Sequence, residues 1–488
     1  MPDAEKIDAP VVITGLAAGG DGVGRLADGC VVFVPFSVPG DQLRIRVVER
    51  RKRFARGEIE EILEPGEART EPRCAVFGEC GGCAWQHLEH QAQLAAKAQI
   101  IADSIGRIAG LALPGEVILT PSPSAYGYRA RTRVLVEGGR VGYRKKHSHR
   151  LCAISTCPIL TPELDALLAE IAKGPPLADG EWELCSAGGR VRSVRLSEHA
   201  GNRLSLDVGP DRVAFSAGVF AQSNGLLIET LVEHVLAAAG RGGQLLELFC
   251  GTGLFTLGLA RNFDVVVAIE SSASAVADLR ANLRAAGRDN VEVVEGRVEE
   301  VLATRDPHRP AVVVLDPPRP GLAPSAIERL VALEAGRIVY LSCDPATLAR
   351  DLGILSDHGY VLQRVECIDL FPQTPHIETL VTLEADPAVS DASVLLGREA
   401  PVGGRLSKPR PAACPTAPAR TVETVHIPSL PGTRRAGCSA STRVEPPADP
   451  SPGHAVFSTS KDRATAVCSR PGRVSCCRAP ASGSPRLP

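Results

Sequence analysis

Five short apolar runs, at 245–249, 265–269, 291–294, 311–315 and 337–342, recur between residues 216 and 385, separated by helical patterns. This alternation leaves few folds open. A helix between two strands returns the chain in the same direction, so the strands build a parallel sheet with helices on both faces. In such a sheet ligands gather beyond the carboxyl ends of the strands. The residues just after each run are therefore the first place to look for chemistry.

Several of these ends are unusual. In LLELFCGTGLFTLGLA (245–260) a strand runs into Gly251, Thr252 and Gly253, where the backbone can turn tightly and approach a ligand. The next strand ends in Glu270, placed to accept both ribose hydroxyls of a nucleoside. The absence of a third glycine and the acidic Glu247 favour S-adenosylmethionine over a nicotinamide dinucleotide. In VVVLDPPRPGL (312–322) Asp316 precedes two prolines, which fix φ and make the exit from the sheet rigid. IVYLSCDPATLARDL (338–352) puts Cys343 at a strand tip, where it reads either as a small buried thiol or as a nucleophile. In DLFPQTPHIETLVTLE (369–384) Glu378 enters an apolar strand, which is costly unless the carboxylate is paired or working; a surface glutamate on an edge strand is the plain alternative.

The N-terminal part reads differently. Residues 8–63 alternate β-branched runs with glycine turns, as a small barrel does. They carry a basic cluster, Arg44, Arg46, Arg50, Arg51, Lys52, Arg53 and Arg56, which suits either a phosphate backbone or a solvated strand. The stretch resembles a TRAM domain, an RNA-binding module, through GxGV, ADG, VFVP and PGD. In RCAVFGECGGCAWQHL (73–88) Cys74, Cys80 and Cys83 have C-x5-C-x2-C spacing. LCAISTCPIL offers Cys152 or Cys157 as a fourth ligand, and four cysteines suit zinc or an iron–sulfur cluster. Residues 88–112 have helical periodicity, and 118–213 read as mixed β with a basic hairpin-like stretch at 126–150.

Residues 386–488 carry 14 Lys and Arg against 7 Asp and Glu, so this tail is +7, the rest of the chain −9, and the whole −2. The tail is rich in Pro, Ser, Gly and Ala without a period. It is expected to be disordered, and it looks more like read-through of a shifted frame than a functional segment. Fifteen cysteines in a long chain with no signal-like start point to metal or catalytic roles rather than disulfides. No apolar run has the length of a membrane span, and a cytoplasmic monomer is expected.

Taken together, LFCGTG, DPPR, YLSCDP and FPxTxHxE, in that order, resemble the RNA 5-methyluridine (uracil-C5) methyltransferase family, in its iron–sulfur branch with an N-terminal TRAM domain. The resemblance covers residues 8–385. It implies an α/β fold with a Rossmann-like S-adenosylmethionine-dependent methyltransferase domain, a small TRAM β-barrel and a central α+β iron–sulfur domain. The corresponding segments are 1–63 (barrel, RNA binding), 64–215 (central, its helix 88–112 packing on the catalytic part) and 216–385 (catalytic). It implies Cys343 as nucleophile and Glu378 as general base. It further implies Gln222, Phe249, Gly251, Gly253, Glu270 and Asp316 at the cofactor, and Cys74, Cys80, Cys83 and Cys157 around a [4Fe–4S] cluster. Leu254 and Arg297 depart from the pattern, standing where relatives carry Asn and Asn or Asp. The implied substrate is 23S ribosomal RNA, with the transfer RNA T-loop as runner-up. A non-catalytic iron–sulfur RNA-binding protein is the rival reading. A radical S-adenosylmethionine enzyme would use C-x3-C-x2-C, which this chain lacks.

Overall fold

The computed structural model describes residues 5–198, 203–304 and 309–386; beyond Asp386 the expected disordered tail lies outside the described residues. Strands β1 (Glu5–Leu16), β2 (Gly22–Arg25), β3 (Val31–Val34), β4 (Gln42–Arg50) and β5 (Phe54–Glu64) close into a barrel in the order β1-β2-β3-β5-β4. Period-two patterning drives this: Leu43, Ile45 and Val47 of β4 point into the barrel, and Arg44 and Arg46 point out. The outward arginines meet glutamates of β5, Arg44 with Glu61 and Arg46 with Glu58. Arg50, Arg51 and Arg56 are also paired, with Asp28, Glu49 and Asp21. Most of the basic cluster is thus balanced, by exposed ion pairs of the weak kind.

Helix α1 (His90–Ser104) follows and ends in a wider turn, Ile105–Ala109. The middle of the chain forms a five-stranded sheet from β7 (Arg131–Glu137), β8 (Arg140–Arg144), β9 (Leu151–Ala153), β10 (Gly180–Ala187) and β11 (Arg190–Arg195), with helix α2 (Pro162–Lys173). Its preceding strand β6 (Ile118–Thr120) does not join it and instead pairs with the strand Tyr360–Ile368 of the larger sheet. A hairpin, β12 (Arg203–Val208) and β13 (Asp211–Ser216), leads onward; Asn282 of the catalytic half bonds both the N–H and the carbonyl of Ala214.

The catalytic half is α3 (Ile228–Ala239), β14 (Gln244–Leu248), α4 (Thr256–Asn262), β15 (Val265–Glu270), α5 (Ala273–Ala286), β16 (Val291–Glu295), α6 (Val298–Thr304), β17 (Val312–Leu315), α7 (Pro324–Ala332), β18 (Arg337–Ser342), α8 (Pro345–Asp357), β19 (Tyr360–Ile368) and β20 (Glu378–Ala385). Its sheet runs β16-β15-β14-β17-β18-β20-β19-β6. The sequence leads one to expect a parallel sheet; the structure differs at β20, which is antiparallel to both neighbours. The reason is the connection. Residues 369–377 are too short for a crossover helix, so the chain turns back and inserts β20 between β18 and β19. Among the described residues no helix is long and apolar enough to cross a membrane.

Glycine matters most where backbones touch. A Cβ on Gly142 of β8 would lie 2.0 Å from the carbonyl oxygen of Cys152. Gly142→Ala is therefore expected to cost about 1–3 kcal/mol, read as a lower denaturant midpoint than wild type.

Candidate active site

Cys343 is the single residue between β18 and the cap of α8. Asp344 caps the helix, its side chain accepting from the N–H groups of Ala346 and Thr347 at 3.0 and 2.9 Å, and Pro345 occupies the first turn. The SCDP motif is thus a strand end, a half-buried thiol, a cap and a helix start. Across the sheet, Ser342 pairs with Thr379 in the antiparallel register. Cys343 and Glu378 are the next residues beyond that pair on the two segments, near enough for the carboxyl to act on the thiol. Asp316 leaves the neighbouring strand β17 at the same edge.

These groups act on one another. Burial, then the Glu378 and Asp316 carboxyls, push the Cys343 thiol up to about 11, and the Arg319 guanidinium opposes them. Glu378 is 3% exposed. Burial and then Asp316 raise its carboxyl well above the usual range, again against Arg319. Asp316 is pushed up to about 7 by burial. Arg319 donates to the His376 ring at 3.1 Å, and burial followed by Arg319 lowers His376 to about 4, so the ring is a neutral acceptor. Helix α8 fixes the Arg319 loop: Thr347 donates to the Arg319 carbonyl at 3.1 Å, and Asp351 accepts from the Leu322 N–H at 3.0 Å.

A hollow of about 60 Å³ opens behind Asp316 and is lined by Gln222, Phe249, Gly251 and Leu254. Glu270 borders it indirectly, accepting from the Gly251 N–H at 3.0 Å and the Ser272 N–H at 2.7 Å. Gly253 serves packing: its φ is +92° and a Cβ would meet Leu279 at 2.5 Å. A Cβ on Gly251 would meet nothing, so that backbone is open to a ligand. Glu247 lies buried nearby, pushed up to about 8 by burial against the opposing Thr256 hydroxyl, and neither of its carboxyl oxygens makes a well-formed hydrogen bond among the described residues. An orphaned acceptor behind an open glycine turn suits a ligand with hydroxyl or ammonium donors. Of the two departures from the family pattern, Leu254 lines this hollow, whereas Arg297 points outward and pairs with Glu299 and Glu300.

Cys74, Cys80, Cys83 and Cys157 line one cavity of about 450 Å³, which shares Phe220, Ala221 and Gln222 with the hollow behind Asp316. Burial pushes Cys83 up to about 12 and Cys80 to about 11. Among the described residues no group of three or more His, Cys, Asp or Glu converges tightly enough to hold a single metal ion. Gly81 lets the loop approach the next strand, its N–H donating to the Arg144 carbonyl at 3.0 Å.

Comparison with known proteins bears on this arrangement. The family model described as tRNA (Uracil-5-)-methyltransferase matches residues 203–386, and the TRAM domain model matches 9–59. An uncharacterized RNA methyltransferase of Synechocystis sp. is 33% identical over 445 residues, covering 77% of this chain and 95% of its own. A 23S rRNA (uracil(1939)-C(5))-methyltransferase of Halomonas elongata is 33% identical over 437 residues, covering 77% and 89%. The chain belongs to the RNA uracil-5-methyltransferase family. The fold agrees: the Pyrococcus abyssi tRNA (uracil-54, C5)-methyltransferase superposes with a TM-score of 0.61 at 24% identity, over 77% of this chain and all of that one.

In this methyltransferase, sequence reading left Arg319 and His376 out of the site, although both stood inside quoted motifs. The signal available was the cost of placing an arginine after two rigid prolines. Alkylation of Cys343 by iodoacetamide, followed by peptide mass spectrometry, should accelerate as pH rises toward about 11. Arg319→Ala removes a cation that favours the thiolate, so the rise should move to higher pH. Asp316→Asn removes a repelling charge and should move it lower.

Proposed function

We propose that this enzyme methylates C5 of a uridine in 23S ribosomal RNA, with S-adenosylmethionine as donor, Cys343 as nucleophile and Glu378 as base. The observation that carries the reading is the register of β18 against β20, which sets a half-buried thiol beside a buried carboxylate at the mouth of the sheet. C5 of uracil is a poor nucleophile. Addition of the Cys343 thiolate to C6 gives an enolate with electron density at C5. C5 then takes the methyl group, and the donor's sulfur leaves with the bonding pair. Glu378 removes the C5 proton, the C5–C6 double bond re-forms and the thiolate departs. Gln222, Phe249, Gly251 and Asp316 would contact the donor, with Glu270 at its ribose and Gly253 keeping the turn closely packed. When bound, S-adenosylmethionine supplies the methyl electrophile and a positive sulfonium, a charge that favours ionised Cys343, Asp316 and Glu378. The target base must leave its stack to reach this edge.

The ribosomal substrate is supported by the name of the Halomonas relative. The transfer RNA reading is supported by the description of the matched family model. RNA fragments of both kinds carrying 5-fluorouridine separate them, because fluorine at C5 is not removed as a proton and the adduct stalls. A band shifted on a denaturing gel is expected with ribosomal RNA and wild-type protein, and none with Cys343→Ala. A shift with transfer RNA alone would transfer the substrate assignment.

We further propose that Cys74, Cys80, Cys83 and Cys157 hold a [4Fe–4S] cluster, a choice over zinc that rests on the resemblance to the iron–sulfur branch of the family. What supports it in the structure is that all four cysteines line one cavity. The cluster's part would be to hold the loop, since methyl transfer requires no electron. Anaerobically purified protein is expected to carry about four irons per chain. Cys157→Ser should lose them and Cys152→Ser should keep them.

A further inference from the structure

The loop between β19 and β20 is held by contacts the reaction itself does not use. Gln373 is one of the few described non-glycine residues with positive φ, at 66°, and it is 3% exposed. Such a conformation persists only where surroundings impose it. Here they do. The Gln373 N–H donates to Oε1 of Gln93 at 2.8 Å, and Nε2 of Gln93 donates to Oε1 of Gln373 at 3.1 Å. The Gln373 carbonyl accepts from the N–H groups of Ala84 and Trp85 at 3.1 and 3.0 Å. Gln93 itself is fully buried on α1, with Nε2 also donating to the carbonyls of Trp85 and Leu88.

The rest of the loop is captured in the same way. Buried Lys97, one turn further along α1, donates to Asp369 at 2.6 Å and to the Phe371 carbonyl at 2.9 Å. Asn224 donates to the Leu370 carbonyl at 3.1 Å and the Tyr128 hydroxyl to that of Pro372 at 2.9 Å. Five residues after Gln373 the chain delivers Glu378. A change of φ at 373 swings that short segment, and the carboxylate with it.

We propose that Gln93 and Gln373 are positioning residues for Glu378. They lock peptide 373 in the left-handed conformation that aims the carboxylate at the C5 proton, and the Ala84–Trp85 backbone, next to Cys83, is the third side of the lock. The inference rests on Glu378 being the base. It assigns these residues to the second half of the reaction only. Adduct formation needs Cys343; release of the methylated product needs an aimed Glu378.

The test separates the two halves in full-length protein. Glycine adopts positive φ without strain, so Gln373→Gly keeps the fold while freeing the peptide. It should trap 5-fluorouridine RNA at the wild-type rate. On ordinary RNA its turnover should fall on the order of tenfold to a hundredfold, with the methylated covalent complex accumulating on the gel. Gln373→Asn keeps an amide and tolerates this φ, and should recover part of the loss. Gln93→Met should behave as Gln373→Gly does; if it does not fold, the glycine variant decides. Wild-type turnover by Gln373→Gly, or a parallel loss of trapping and turnover, overturns the proposal. Glu378→Gln is the control. If it fails to accumulate the covalent complex, the base assignment itself is wrong. If it accumulates the complex and Gln373→Gly does not, only the positioning role is lost.

Discussion

The site depends on one reversed strand. Every other strand of the catalytic sheet leaves its carboxyl end at the working edge, and β20 alone presents its first residue there. That reversal allows a side chain opening one strand to face a side chain closing another. Burial enforces the register: Leu380, Val381 and Leu383 are all within 1% of full burial. Val381 and Leu383 pack on one side of the sheet and Leu380 on the other, so a slip of one residue would exchange the two sides. At the far end Arg337 of β18 bonds Glu384 at 2.8 Å, which pins the same alignment.

Around that pair the chain has gathered more acid than it can ionise together. Cys343, Asp316 and Glu378 are each pushed upward, with Arg319 as the cation that offsets them. The rigid prolines before Arg319 and the bonds from α8 hold its backbone, and the His376 ring receives its guanidinium. A low-charge resting site costs little to keep folded and responds strongly to a positive ligand.

Much of this was legible in the sequence. The five catalytic strands lie within a residue or so of where apolar runs placed them, because buried parallel strands write themselves as continuous β-branched stretches. The SCDP and DPPR loops announced themselves through prolines and a cap. The reversal of β20 and the transfer of β6 to the catalytic sheet did not, since strand order is a matter of distant pairing and local periodicity carries no trace of it. Gln93 and Lys97 carried no signal either: the periodicity of 88–112 shows a helix, and only the carbonyls packed against it account for the burial of these two polar side chains. The barrel's arginines likewise looked like free charge because their glutamate partners sit one strand away.

The bonds between α1 and the loop before β20 join positions about 280 apart in the chain. During synthesis the first partner leaves the ribosome long before the second exists. Until it arrives, Lys97 of α1 lacks Asp369 and the Phe371 carbonyl, Gln93 keeps only its bonds to the Trp85 and Leu88 carbonyls, and the apolar Ile100 and Ile101 lack much of their cover. Contacts of such sequence separation form late and slowly. The N-terminal part must therefore wait, exposed to chaperones and proteases, for the final strand to complete it.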